Sequence, residues 1–156
     1  MTVPGPKRPI SVFLLVALLI FTGFGGLYGG YSLIKEPDGS LMGMDPGMLL
    51  NSPFPTFLIP GIILVIFNGL LPLLIAWGLL VKPPWHWPEI LNLYHKQHWC
   101  WTFSLYYGFI LIIWINVQLI MMGESSLLQP VFALTGALIS ILTMIPGVFH
   151  YYRKHL

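Results

Sequence analysis

Residues 10–34 read ISVFLLVALLIFTGFGGLYGGYSLI, a run that contains no Asp, Glu, Lys or Arg. A helix rises about 1.5 Å per residue, and the hydrocarbon core of a bilayer is about 30 Å thick, so this stretch is long enough to cross it. Three further runs share the property, at residues 55–80, 99–122 and 127–150. The fold expected is therefore all-α: an integral membrane four-helix bundle forming a single domain over residues 1–156.

The charges between these runs set the expected orientation. Lys7 and Arg8 precede the first run, Lys82 and Lys96 lie between the second and third, and Arg153 and Lys154 follow the fourth. The other two gaps hold Glu36, Asp38, Asp45 and Glu124, with Lys35 as the only base. Basic residues near span ends are retained in the cytoplasm. Both termini and the segment 81–99 should face inward, with the loop between the first two helices outside.

Composition narrows the classes. Hydrophobic residues make up 56% of the chain and charged residues 8%, with a mean hydropathy of +0.81. Four spans leave no segment long enough for a separate soluble domain. The bases are dispersed without a basic, aromatic-interleaved cluster, so no nucleic-acid partner is expected. Cys100 is the single cysteine, which rules out an intrachain disulfide or a Cys-x-x-Cys redox pair. Lys7-Arg8 followed by an apolar core resembles a secretion signal, but no Ala-x-Ala-like cleavage site follows, and a retained helix is expected.

Prolines and glycines punctuate the runs. Gly25/Gly29 and Gly26/Gly30 form two ridges of small residues that let another helix approach closely. Pro37-Asp38-Gly39-Ser40 and Asp45-Pro46-Gly47 read as turns, and Ser52-Pro53 as a helix start. A kink is expected near Asn68, ahead of Pro72, with the Asn68 side chain satisfying a carbonyl freed there. Pro146 should bend the last turn of the fourth span, and Glu124-Ser125-Ser126 should form a tight turn. Trp77, Trp85, Trp87, Trp99 and Trp101 gather at one interface as an aromatic belt. Residues 89–98 suit a short helix lying in the plane of that interface.

Few residues carry chemistry. His95 and His98 are three apart, a workable ligand spacing if they share a helical face, and they are the weak candidates for a metal. No histidine lies inside a span, which argues against haem, and no cofactor is expected. No charged residue lies within the bilayer, which disfavours ion-coupled transport. Neutral polar groups remain: Tyr28, Tyr31, Asn68, Asn116 and Gln118 fall in the centre-to-outer part of the bilayer. They either bond between helices or line an outward-opening pocket for a small neutral or lipid-like molecule.

Gly25-Gly26-Leu27-Tyr28-Gly29-Gly30, Pro37-Asp38-Gly39-Ser40-Leu41-Met42-Gly43-Met44, Phe57-Leu58-Ile59-Pro60-Gly61 and Asn68-Gly69-Leu70-Leu71-Pro72 together resemble a group of small uncharacterised prokaryotic four-span membrane proteins. The resemblance covers residues 21–77, about a third of the chain, and in span pattern it is loosely similar to the DoxX-like group. It implies a prokaryotic cytoplasmic membrane and brings no catalytic residues. The function expected is a non-enzymatic accessory or structural component, whose partners are the bilayer and another membrane protein or a second copy. A carrier of a small molecule and a metal-dependent membrane enzyme are the alternatives.

Overall fold

The computed structural model describes residues 7–123 and 127–154. The turn expected at Glu124-Ser125-Ser126 lies outside them. The described residues are helical, without a strand, and fall into four segments. Helix α1 spans Ile10–Lys35. The second segment, Leu58–Val81, comprises α2 (Leu58–Ile63), a π-helical stretch (Leu64–Leu70) and α3 (Leu71–Val81). Helix α4 spans Trp99–Met122, and the fourth segment comprises α5 (Leu128–Met144) and α6 (Pro146–Tyr151). The first three segments are long and apolar enough to cross a membrane, whereas α5, with 17 residues, is shorter.

Proline accounts for each interruption. The residue before a proline is pushed out of the helical region. Ile145, before Pro146, has ψ 133°, so the fourth run is broken at Ile145 rather than bent. In the second segment, Pro72 has no N–H and its ring presses on the carbonyl of Asn68, four residues earlier. The chain widens to the π form over the preceding seven residues, so what was expected as a kink is a π-helical stretch. The helix begins at Leu58, not at Ser52-Pro53, and Phe57 is its N-cap. This start places Pro60 in the first turn, where a missing N–H leaves no helical bond unmade.

The four segments close into a ring. Helix α1 lies along the second segment and against α5, α4 lies against α5, and α3 lies against α4. Close approach depends on glycine at two crossings. A β-carbon on Gly26 would collide with the peptide of Asn68 and lie 2.7 Å from the nitrogen of Gly69. One on Gly30 would lie 2.7 Å from the Gly61 carbonyl oxygen. At the second crossing, a β-carbon on Gly108 of α4 would lie 2.9 Å from the Gly136 carbonyl oxygen of α5. Gly25 instead faces the ring of Phe132, and Gly29 the side chain of Leu64.

The main core fills one half of the ring with Val12, Leu15, Ile75, Leu79, Trp99 and Ile139. A smaller cluster of Leu33, Leu49 and Phe57 ties the loop of residues 36–57 onto the other end of the bundle. The Phe57 N–H donates to the Pro37 carbonyl at 2.8 Å, which closes that loop on itself.

Candidate functional site

The polar chemistry concentrates at the end of the bundle where α1 begins and α3 ends. The last carbonyls of a helix have no intrahelical donor. Those of α3 find donors from three separated parts of the chain. Lys82 N–H donates to the Gly78 carbonyl at 2.8 Å, Tyr152 Oη to the Leu79 carbonyl at 2.5 Å, and Arg8 Nη2 to the Leu80 carbonyl at 2.7 Å. The chain after α6 also pairs with the strap preceding α4. His98 N–H donates to the Tyr152 carbonyl and Lys154 N–H to the Lys96 carbonyl, with Gln97 bridged to Arg153. Residues 8, 82, 96–98 and 151–154 thus meet at one place.

Lys82 occupies an unusual backbone position. Its φ of 51° is the only positive value at a non-glycine residue among the described residues. Glycine would sit there without strain. The side chain uses the position: Nζ donates to the Tyr151 carbonyl at 3.0 Å and lies 3.4 Å from the Tyr151 ring centroid and 4.6 Å from that of Tyr152. Burial lowers the pKa of this lysine, and Tyr151 works against the shift.

Asn92 organises the strap. It is 1% exposed, and all four hydrogen-bonding positions of its amide are used. Nδ2 donates to Glu89 Oε2 and to the Gln97 carbonyl, both at 2.9 Å. Oδ1 accepts from Thr102 Oγ1 at 2.6 Å and from Tyr94 N–H at 3.1 Å. Glu89 in turn pairs with Lys154 at 2.7 Å. Burial opposes the charged form of Glu89, but hydrogen bonds from Lys154 and Asn92 outweigh it and lower the carboxyl pKa. Residues 89–98 do not form the interfacial helix expected of them. The sequence folds as a 3-10 turn over Trp87–Leu91 and then an irregular strap, because Asn92 is held by contacts that a helix would not reach.

Two clefts flank this strap. The first, about 360 Å³, is lined by Lys82, Pro84, Trp85, His86, Glu89, His98 and Lys154. Its wall is aromatic: Trp85 stacks on Trp99 at 5.8 Å with their planes 2° apart, and also lies 5.0 Å from Trp77. The second, about 480 Å³ and almost wholly apolar, is lined by Leu71, Ile90, Leu91, Leu93, Phe103, Tyr106 and Ile110. Tyr106 fixes the strap above it, donating to the Leu91 carbonyl at 3.1 Å and accepting from Leu93 N–H at 3.2 Å.

His95 and His98 do not share a helical face. His95 is exposed in a turn, whereas His98 is the N-cap of α4. Among the described residues no group of three or more His, Cys, Asp or Glu is placed to hold a metal. His98 Nδ1 lies 3.0 Å from Cys100 Sγ and accepts from Cys100 N–H at 3.4 Å. Burial, foremost, lowers the His98 pKa. This proximity was not legible as a pair in the sequence. Cys100 is completely buried, so its sulfur is closed to a substrate.

The five polar residues singled out on the other half of the bundle are not drawn into either cleft. Tyr28 and Tyr31 project from α1, 71% and 60% exposed. Asn116 lies on the outer surface of α4, where its Nδ2 donates back to the Ile112 carbonyl at 2.8 Å, and Gln118 is half-buried. Asn68 alone is buried in the ring. Its Oδ1 accepts from Tyr107 Oη at 3.3 Å, while Nδ2 has no partner. The amide therefore reaches across the bundle instead of satisfying a carbonyl of its own helix.

No protein family, curated protein or solved structure matches this chain.

Proposed function

We propose that this protein crosses a prokaryotic cytoplasmic membrane four times and serves there as a non-enzymatic accessory or structural component. Both termini and residues 82–98 lie in the cytoplasm on this reading. Apolar outward faces favour the bilayer: α1 exposes Phe13, Phe21 and Phe24, α4 exposes Phe109, Ile113 and Ile120, and α5 exposes Leu134 and Ile141. A bundle bathed in water would present polar residues at such positions.

One observation carries the non-catalytic reading. The polar groups of the basic end fasten the chain and do not converge on a reacting atom: Arg8 and Tyr152 cap α3, Lys82 spends one donor on Tyr151, and Asn92 holds the strap. Convergence of the three basic segments supports the orientation, since all must then lie on one side. Asn68, Tyr28, Tyr31, Asn116 and Gln118 offer no common pocket that would favour an outward-facing carrier.

Labelling of introduced cysteines in intact cells tests the orientation. Ser40→Cys should react with a membrane-impermeant maleimide, and Pro84→Cys should react only after the cells are opened. The reverse pattern would overturn the orientation, and extraction of the protein by alkaline carbonate would overturn the membrane reading.

A further inference from the structure

The two clefts are lined by consecutive residues of one strap, Glu89 on one and Ile90 and Leu91 on the other. One has an aromatic wall and holds two lysines, a glutamate and two histidines, and the other is almost wholly apolar. A single molecule that meets both must have an anionic or polar head joined to a hydrocarbon chain. We propose that this end of the bundle holds one anionic phospholipid, its phosphate against Lys82 and Lys154 and an acyl chain along Leu71, Phe103, Tyr106 and Ile110.

The geometry favours this occupant on three grounds. First, the chain places a lysine at φ 51°, where glycine would be unstrained, and the ammonium so positioned lines the cleft. Its hydrogen bond to the Tyr151 carbonyl uses one of three donors. Second, among the described residues Glu89 is the only acid lining the cleft and is already matched by Lys154, so Lys82 leaves that lining with net positive charge. Third, Trp85 lines the cleft, backed by Trp77 and Trp99, and the strap beside it exposes Ile90 at 84% and Leu93 at 77%. Indoles prefer the headgroup level, and exposed aliphatic side chains belong just beneath it. Basic pockets between helices on the cytoplasmic side recognise anionic headgroups.

The inference rests on the proposed orientation, because the site must face a leaflet. The full chain is purified in detergent, phosphatidylglycerol or phosphatidylcholine is added, and retained lipid is counted by native mass spectrometry. One phosphatidylglycerol should be retained about tenfold better than phosphatidylcholine, a ratio equivalent to about 1.4 kcal/mol. Lys82→Gln and Lys154→Gln should each abolish most of that preference, with Lys82→Arg restoring it, while Lys35→Gln at the other end should leave it unchanged. Glu89→Gln should strengthen retention severalfold, because it removes the carboxylate competing for Lys154. A purely structural role for Glu89 predicts the opposite. Ile110→Trp, which fills the apolar groove, should weaken retention of both lipids.

Equal retention of the two lipids would overturn the proposal, as would a weakened preference in Glu89→Gln. Soluble glycerol phosphate displacing the lipid at equal concentration would also overturn it, in favour of a site for free phosphate. A protein that fails to stay in vesicles after carbonate washing refutes the membrane reading itself. One that stays but shows no lipid preference refutes only the lipid site.

Discussion

The phenol of Tyr152 donates its hydrogen to the carbonyl of Leu79, 73 residues earlier in the chain. Tyr152 is 2% exposed and Leu79 completely buried, so this bond fastens the end of the fourth segment to the end of the second inside the core. A buried carbonyl that loses its donor typically costs about 1–3 kcal/mol. Tyr152→Phe keeps the ring and removes only the hydroxyl, and it should lower the unfolding temperature in detergent. An unchanged temperature would show that water replaces the hydroxyl at Leu79.

The Gly26 crossing should be less tolerant than its neighbour. A β-carbon at Gly26 meets backbone that cannot swing away, whereas at Gly25 it meets the ring of Phe132 at 3.2 Å, a side chain free to turn. Overpacking of this kind costs about 1–3 kcal/mol. Gly26→Ala should therefore destabilise the detergent-solubilised protein clearly more than Gly25→Ala. Equal losses in thermal unfolding would mean that α1 and the π-helical stretch separate easily.

Asn92→Ala removes both donors and both acceptors of the amide at once. Thr102 and the Gln97 carbonyl each lose a buried partner, at about 1–3 kcal/mol apiece. The strap should loosen before the bundle does. Limited proteolysis between residues 87 and 97 should accelerate in the variant, and an unaltered cleavage rate would count against Asn92 as the organiser.

Tyr107 and Asn68 provide a paired test. Tyr107→Phe leaves Asn68 buried without any side-chain partner and should cost about 1–3 kcal/mol. Asn68→Leu combined with Tyr107→Phe replaces both groups with apolar ones, so the double variant should be more stable than Tyr107→Phe alone. Additive losses in the cycle would show that the two side chains do not interact.

Acid should release Lys154 from Glu89 late. The folded carboxyl pKa lies below its ordinary value of 4.5, so the charged pair contributes stability above that value. That contribution is lost as the pH falls through the lower, folded value. Half-exposed pairs are worth about 1 kcal/mol or less, so the effect is small. The difference in unfolding temperature between the parent and Glu89→Gln should be constant from pH 7 to pH 5 and shrink only below 4.5. A difference that already vanishes at pH 5.5 would contradict the lowered pKa.

Helix type and its interruptions are largely local properties, and they were readable from the chain. The apolar runs at residues 10–34 and 99–122 coincide closely with α1 and α4, because length and hydropathy need no partner. Pro146 and Pro72 announced breaks for the same reason, since a missing N–H acts within one turn. The form of each break was decided by tertiary structure: the widening at Asn68 is packed against Gly26, 42 residues earlier, and nothing within residues 64–72 names that neighbour. The Gly108–Gly136 crossing was only half legible: Ser104 and Gly108, and Gly136 and Ser140, are small residues four apart, but neither spacing names the helix it meets. His95 and His98 were read as one face on the assumption of a helix. Asn92 works against that helix by bonding to the Gln97 carbonyl within the strap and to Thr102, a contact that exists only once the strap lies over α4. Backbone periodicity is written residue by residue, whereas a buried amide takes whichever partners the folded chain brings within 3 Å.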